Sequence, residues 1–202
     1  LKGKVRTGTK SGILRSILVV AQFVISIAIL LGSYVVFHQL SYIQSKDPGF
    51  DKKDILVIRR SDALEQQMEA FKQEVAKLPQ VKAVTNCNTY PSRNFSNNAF
   101  FLEGGTNTYL IYQAWTSFGV NEVLGYELKA GRFHSREHPS DSNAIVINEA
   151  AVKSLGFKEP IGSRIMHPWG DELRPLEVIG VVKDFHFKSI HYPVEPAAYT
   201  LM

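Results

Sequence analysis

Three places in the chain have residue types and spacings that could do chemistry. Gly8-Thr9-Lys10-Ser11 has the outline of a phosphate loop, in which backbone amides and the lysine would cradle a nucleotide. The glycine that should directly precede the lysine is Thr9, and no strand leads into the segment, so nucleotide binding is not expected. His134, His138 and Asp141 have a spacing that could hold a metal ion on a helix. The surrounding HSREHPSDS, with Pro139 and Ser140, reads instead as a solvated loop in which that geometry is lost. Asp184, His186 and His191 lie at the end of an apolar strand. Alternation puts Asp184 and His186 on one face, where an acid-base or metal pair competes with a plain strand-end hydrogen bond. Cys87 is the only cysteine, which excludes an intrachain disulfide and a zinc cluster of several cysteines. No Rossmann glycine pattern, nucleophile elbow or HExxH occurs. The expectation is a non-catalytic chain with no catalytic, metal-binding or cofactor-binding residues.

The elements that carry these residues are organised around Ile17 to Phe37, within a run free of Asp, Glu, Lys and Arg from Ser16 to Ser45. At about 1.5 Å per residue those positions span roughly 31 Å, the hydrocarbon thickness of a bilayer. Fourteen of them are Leu, Ile, Val or Phe, each favouring insertion by about 0.3 to 0.6 kcal/mol. A secretory signal peptide shares the outline of basic residues followed by an apolar stretch. Its apolar core is only about 7 to 15 residues, and YVVFHQLSYIQ contains no small-residue cleavage site. Lys2, Lys4, Arg6, Lys10 and Arg15 precede the span without a single acidic residue, while eighteen basic and nineteen acidic residues follow it. The positive-inside rule makes that arm cytoplasmic and sends the rest outside. A nucleic-acid partner is excluded, because the basic excess belongs to the arm alone. Gln22, Ser26 and Ser33 fall on one helical face, a seam suited to packing on other membrane helices or a chance alignment of tolerated polar residues.

Beyond the span the helix is expected to continue as a stalk to Lys46, where Asp47-Pro48-Gly49 stops it. Ile55 to Arg59 reads as a strand, followed by a core-packing helix from about Ala63 to Leu78. Its signals are an Asp62/Glu65 capping box, an apolar stripe of Leu64, Met68, Phe71, Val75 and Leu78, and Pro79 behind. Val81 to Cys87 reads as a strand and Asn88 to Asn98 as a polar loop. Phe100 to Glu103, Gly104-Gly105 and Tyr109 to Trp115 read as a hairpin. Ala144 to Ile147 is a strand feeding a helix, Glu149 to Leu155, closed by Gly156. Arg164 to His167 and Leu176 to Val182 are strands around a Trp169-Gly170-Asp171 turn. The fold class is α+β: a basic arm over 1–15, a transmembrane helix and stalk over 16–46, and a mixed domain over 47–202.

VVAQFVISIAILLGSYVVFHQLSYIQSKDPGFDKKDILVI resembles the first transmembrane helix, stalk and first strand of a repeat in the MacB/FtsX-like ABC transporter permeases. Gly131-Arg132-Phe133, VINEAAVKSLGF with Asn148 and Glu149, Pro160-Ile161-Gly162, and VIGVVKDFHFKSIHYPVEP with Gly180 and Asp184 follow in the family's order. The resemblance implies that these are structural motif positions. It also implies a permease subunit of the inner membrane, with a MacB-like core domain in the periplasm. A separate cytoplasmic ATPase would drive motion through the stalks, for cargo such as peptides, antibiotics or lipoproteins, or for control of cell-wall hydrolases. Other permease helices or a second permease copy are the implied membrane partners. Family domains return to three further spans, so the chain reads as incomplete at its C-terminus, and its basic start as the join before a second repeat. A membrane-tethered extracytoplasmic sensor and an anchored metalloenzyme remain as rival classes.

Overall fold

The apolar stretch forms one uninterrupted α-helix, α1 (Thr9–Ser45), 37 residues long, in a computed structural model that describes residues 9–59, 64, 66–91, 93, 95–170 and 172–202. Nothing interrupts it because it contains no proline, and its glycines at positions 12 and 32 are each isolated. It ends where the Asp47 carboxylate accepts the Gly49 amide at 2.9 Å, an aspartate turn that starts the next unit. Residues up to Lys46 form one unit and Asp47–Met202 another. The stretch Gly12–Ser45 is long and apolar enough to cross a membrane, and none of it is buried.

The second unit is a mixed α+β domain. In chain order it contains α2 (Met68–Ala76), β1 (Ser96–Leu102), β2 (Thr108–Thr116), α3 (Val120–Leu124), β3 (Leu128–Gly131), β4 (Ala144–Asn148), α4 (Glu149–Leu155), β5 (Arg164–Trp169), β6 (Glu172–Val182) and β7 (Ala197–Leu201). A 3-10 turn, Pro139–Asn143, directly precedes β4. The strands run β3-β6-β4-β7-β2-β1-β5, and β5 also pairs with β6. Six of the seven strands therefore close into a ring. The long β6 makes this possible: its first half pairs with β5 (Arg164↔Glu177 to Trp169↔Glu172), and its second half with β4 and β3.

All six ring strands contribute to the inner core, through Phe100, Ile111, Ile145, Ile165, Leu176 and Ala198 among others. Ala151 and Leu155 of α4 join that cluster and close one end of the ring. A second cluster lies on the outer face of β2, β4, β6 and β7, where Phe95, Tyr126, Phe185, Phe187 and Tyr199 pack ring against ring. Tyr126 and Tyr199 share a hydrogen bond between their hydroxyls, which satisfies two polar tips that burial would otherwise penalise. Every residue of β4, AIVIN, is buried, as expected for a strand covered on both faces.

The structure corrects several sequence expectations. Residues 55–59 do not form a strand; Leu56, Val57 and Ile58 are 86%, 43% and 53% exposed, so the half-buried sheet surface that such residues fit is missing. Residues 81–87 do not form a strand either. They run beside the end of β2, but the Ser117 hydroxyl takes the Asn86 amide, and only Cys87 makes an isolated bridge, to Thr116. The helix expected from Ala63 is described from Met68, and Asp62 and Glu65 lie outside the described residues. Its stripe is half-buried, Leu78 is exposed, and the buried residue of α2 is Lys72, whose ammonium reaches Glu69 and Ser117. The loop before the hairpin ends earlier than expected, since β1 begins at Ser96. α3 and β7 have no counterpart among the elements expected from the sequence.

Candidate functional site

Gly131 and Gly180 face each other across β3 and β6. A Cβ on Gly131, whose φ is +70°, would lie 2.1 Å from the Ile179 carbonyl oxygen, and one on Gly180 would lie 2.2 Å from the Arg132 carbonyl oxygen. No other side chain fits at either position without separating the strands. The Arg132 amide then donates to the Ile179 carbonyl at 2.9 Å, and its guanidinium grips Asp141 through two bonds of 2.6 and 2.8 Å. The Asp141 carboxylate also accepts the Ser135 amide at 2.8 Å, and the Arg132 guanidinium holds its carboxyl below the usual carboxylate range. Phe133 stacks parallel to Tyr126 at 6.3 Å. At the next turn the Gly162 amide donates to the Val178 carbonyl at 2.8 Å.

Asn148, fully buried, joins three segments. Its Oδ1 accepts the Ala151 amide of α4 at 3.0 Å and the Ala197 amide of β7 at 2.8 Å, while its Nδ2 donates to the Glu195 carbonyl at 3.0 Å. Beside it, the Glu149 carboxylate accepts the Asp184 amide at 3.1 Å, and Asp184 Oδ1 accepts the Ala150 amide at 2.8 Å. This reciprocal exchange ties the first turn of α4 to the segment leaving β6. Burial pushes the Asp184 carboxyl up.

The histidine groups separate in space. Asp141 is engaged by Arg132, and His134 turns inward, its Nε2 3.2 Å from the Ala144 carbonyl and its ring kept neutral by burial. His138 lines the ring mouth described below. Asp184 is taken up by α4, and the His186 amide donates to the Pro48 carbonyl at 2.7 Å. Among the described residues, no three His, Cys, Asp or Glu side chains converge on one point. Burial pushes the Cys87 thiol up, away from thiolate reactivity. Gly8 lies outside the described residues. Gln22, Ser26 and Ser33 are exposed along α1.

A feature not found from the sequence lies at the end of the ring opposite α4. A cavity of about 710 Å³ opens there, lined by Trp115, His167, Trp169, Arg174 and Thr200, with Glu69 and Arg136 at its edge. The sequence does carry a signal for it: Trp115 and Trp169 are the chain's two tryptophans, and both fall at strand ends.

An apolar helix long enough to cross a bilayer, leading to a closed mixed barrel whose motif residues are engaged in holding strands together, defines a helix-bearing α+β module of a membrane protein. Residues 16–200 match the family model of the MacB-like periplasmic core domain, and the chain belongs to that family of ABC transporter permease domains. Among solved structures, the periplasmic region of MacB from Actinobacillus actinomycetemcomitans is similar with a TM-score of 0.47 and 20% identity, covering 66% of this chain and 54% of that one. The extracellular domain of the noncanonic ABC-type transporter YknZ from Gram-positive bacteria is similar with a TM-score of 0.47 and 17% identity, covering 66% and 61%. The chain thus spans between about half and three-fifths of their length, at 54% and 61%. A comparison with curated proteins finds no match.

Proposed function

We propose that the chain is part of an ABC transporter permease subunit that transmits ATP-driven motion from a cytoplasmic ATPase to a domain across the membrane. The observation that carries this is the family match over residues 16–200, which takes in the apolar helix together with the barrel. In this reading the basic arm is cytoplasmic, the barrel is periplasmic, and Gln22, Ser26 and Ser33 face other permease helices or a second permease copy. The cargo is of peptide, antibiotic or lipoprotein type, and hydrolysis belongs to the partner. The uninterrupted α1 supports the mechanism, because a continuous helix carries displacement that a flexible joint would absorb.

The test is to insert Gly-Gly-Ser-Gly after Tyr42 in the complete permease, assembled with its ATPase. Insertion into the membrane and ATP hydrolysis should persist while export falls sharply. Unchanged export would refute transmission through this helix. The cavity favours a second reading, a membrane-tethered sensor, in which the same insertion abolishes signalling but there is no ATPase to uncouple.

A further inference from the structure

The ring mouth has the size of a small-molecule site. Its volume of about 710 Å³ falls in the range of roughly 300 to 1,000 Å³ that such sites occupy. Trp115 and Trp169 meet edge to face at 5.5 Å, and His167 meets Trp115 at 5.9 Å, so one wall is aromatic. Trp169 is 48% exposed, which leaves much of a large apolar ring uncovered by the chain.

Of the polar groups that line this mouth, Arg174 and Thr200 are placed to meet an anion. The Arg174 guanidinium lies 4.9 Å over the Trp169 ring. Stacking of this kind occupies the face of the guanidinium and leaves its N–H edge available for an anion. Among the described residues Arg174 makes no ion pair. The other guanidinium is already engaged: Arg136 pairs with Glu69 at 3.1 Å, and Glu69 also takes Lys72 at 2.8 Å. Among the described residues Glu69 is thus shared by two cations, and Arg174 is the guanidinium at this mouth left to meet a carboxylate.

The floor supplies a directed donor. Asn98 donates to Gln113 Oε1 at 2.7 Å, and Gln113 donates through Nε2 to the Thr200 hydroxyl oxygen at 2.8 Å. Gln113 is fully buried and Thr200 is 2% exposed. With its oxygen accepting from Gln113, the Thr200 hydroxyl has its own proton to give, and Thr200 lines the cavity. A ligand oxygen accepting from Thr200 would extend this relay to the cavity. His167 adds a further ring nitrogen at the same surface.

We propose that the mouth of the barrel binds an aryl-bearing carboxylate, its ring against Trp115 and Trp169 and its carboxylate between Arg174 and Thr200. The proposal rests on the chemistry of the mouth and not on the mechanical role.

Because the chain's only tryptophans both line the cavity, their emission reports on this site. The detergent-solubilised chain is titrated with 3-phenylpropionate and, separately, with the uncharged 3-phenylpropan-1-ol, exciting at the red edge of the tryptophan band. The acid should give a saturable change and bind at least about tenfold more tightly than the alcohol, as expected of a charge-assisted contact. Arg174→Gln, on an exposed side chain, should remove that preference and leave the alcohol's affinity unchanged. Trp169→Phe should keep binding and lower the signal. No saturable change with the acid, equal affinity for acid and alcohol, or an acid titration unaltered by Arg174→Gln would each overturn the proposal.

Discussion

Replacing Arg132 by Met removes one partner from a nearly buried ion pair. The Asp141 side chain is 1% exposed and that of Arg132 38%. The guanidinium makes three bonds: to Asp141 Oδ2 at 2.6 Å, to Oδ1 at 2.8 Å and to the Phe133 carbonyl at 3.2 Å. In the variant the carboxylate keeps only the Ser135 amide at 2.8 Å. Stranding a buried charge costs about 3 to 5 kcal/mol, and the partial exposure of Arg132 lets water replace some of what is lost. The expected destabilisation is therefore about 2 to 3 kcal/mol at neutral pH, read as a lowered urea midpoint of the detergent-solubilised chain by tryptophan emission. The pH dependence fixes the cause. In the parent, the Asp141 carboxyl is depressed chiefly by the hydrogen bonds from Arg132. Its contribution is full above the unfolded value of about 3.9 and is lost as pH falls through the folded value. In the variant burial dominates and raises the carboxyl, so acidification neutralises the stranded charge and narrows the gap to the parent. Asp141→Asn should also cost less in the Arg132→Met background than alone. A neutral-pH change below about 1 kcal/mol, or a gap that does not narrow on acidification, would refute the reasoning.

Asn148→Ala strands two buried amides and one carbonyl, so a loss of about 2 to 4 kcal/mol is expected, with amide exchange at Ala151 and Ala197 accelerating before the rest of the barrel. Asn148→Asp retains both acceptors but sets a charge against the Glu195 carbonyl, and should not restore stability. A reporter active only outside the cytoplasm, fused after Pro48 in the complete protein, should be active; a silent fusion with an active cytoplasmic counterpart would reverse the orientation.

Elements with local signals are legible in the sequence. Gly104-Gly105 marks the turn between β1 and β2, and Asn148 with Gly156 marks both ends of α4, since those residues act on backbone groups a few positions away. The apolar helix is legible for the same reason. Ring closure is not: β7 pairs in parallel with β2 some eighty residues earlier, Tyr112 with Ala197, and no periodicity encodes that meeting. β7 itself is only five residues, AAYTL, following two prolines. The opposite error arises at residues 55–59, where β-forming residues have no strand to join. Of the site, Asp141 reads as a metal candidate in the sequence because its partner Arg132 lies nine positions away in a loop without period. The Arg174 position is nearly legible, because the β5–β6 register sets His167 opposite Arg174 and makes Trp169 its diagonal neighbour.

A closed ring of strands resists deformation in a way that an open sheet does not. In an open sheet each outer strand can slip in register by two residues while keeping its inward face. Six of these strands have neighbours on both sides, so no single ring strand can slide without breaking two ladders. The motif residues stand at junctions of the ring: Gly131 and Gly180 where β3 approaches β6, Asn148 and Glu149 between β4 and α4, and Asp184 after β6. Each fixes a junction that closure alone leaves soft. A ligand at the mouth would touch the ends of β2, β5, β6 and β7 together, so its binding energy would act on the whole ring and not on one hairpin.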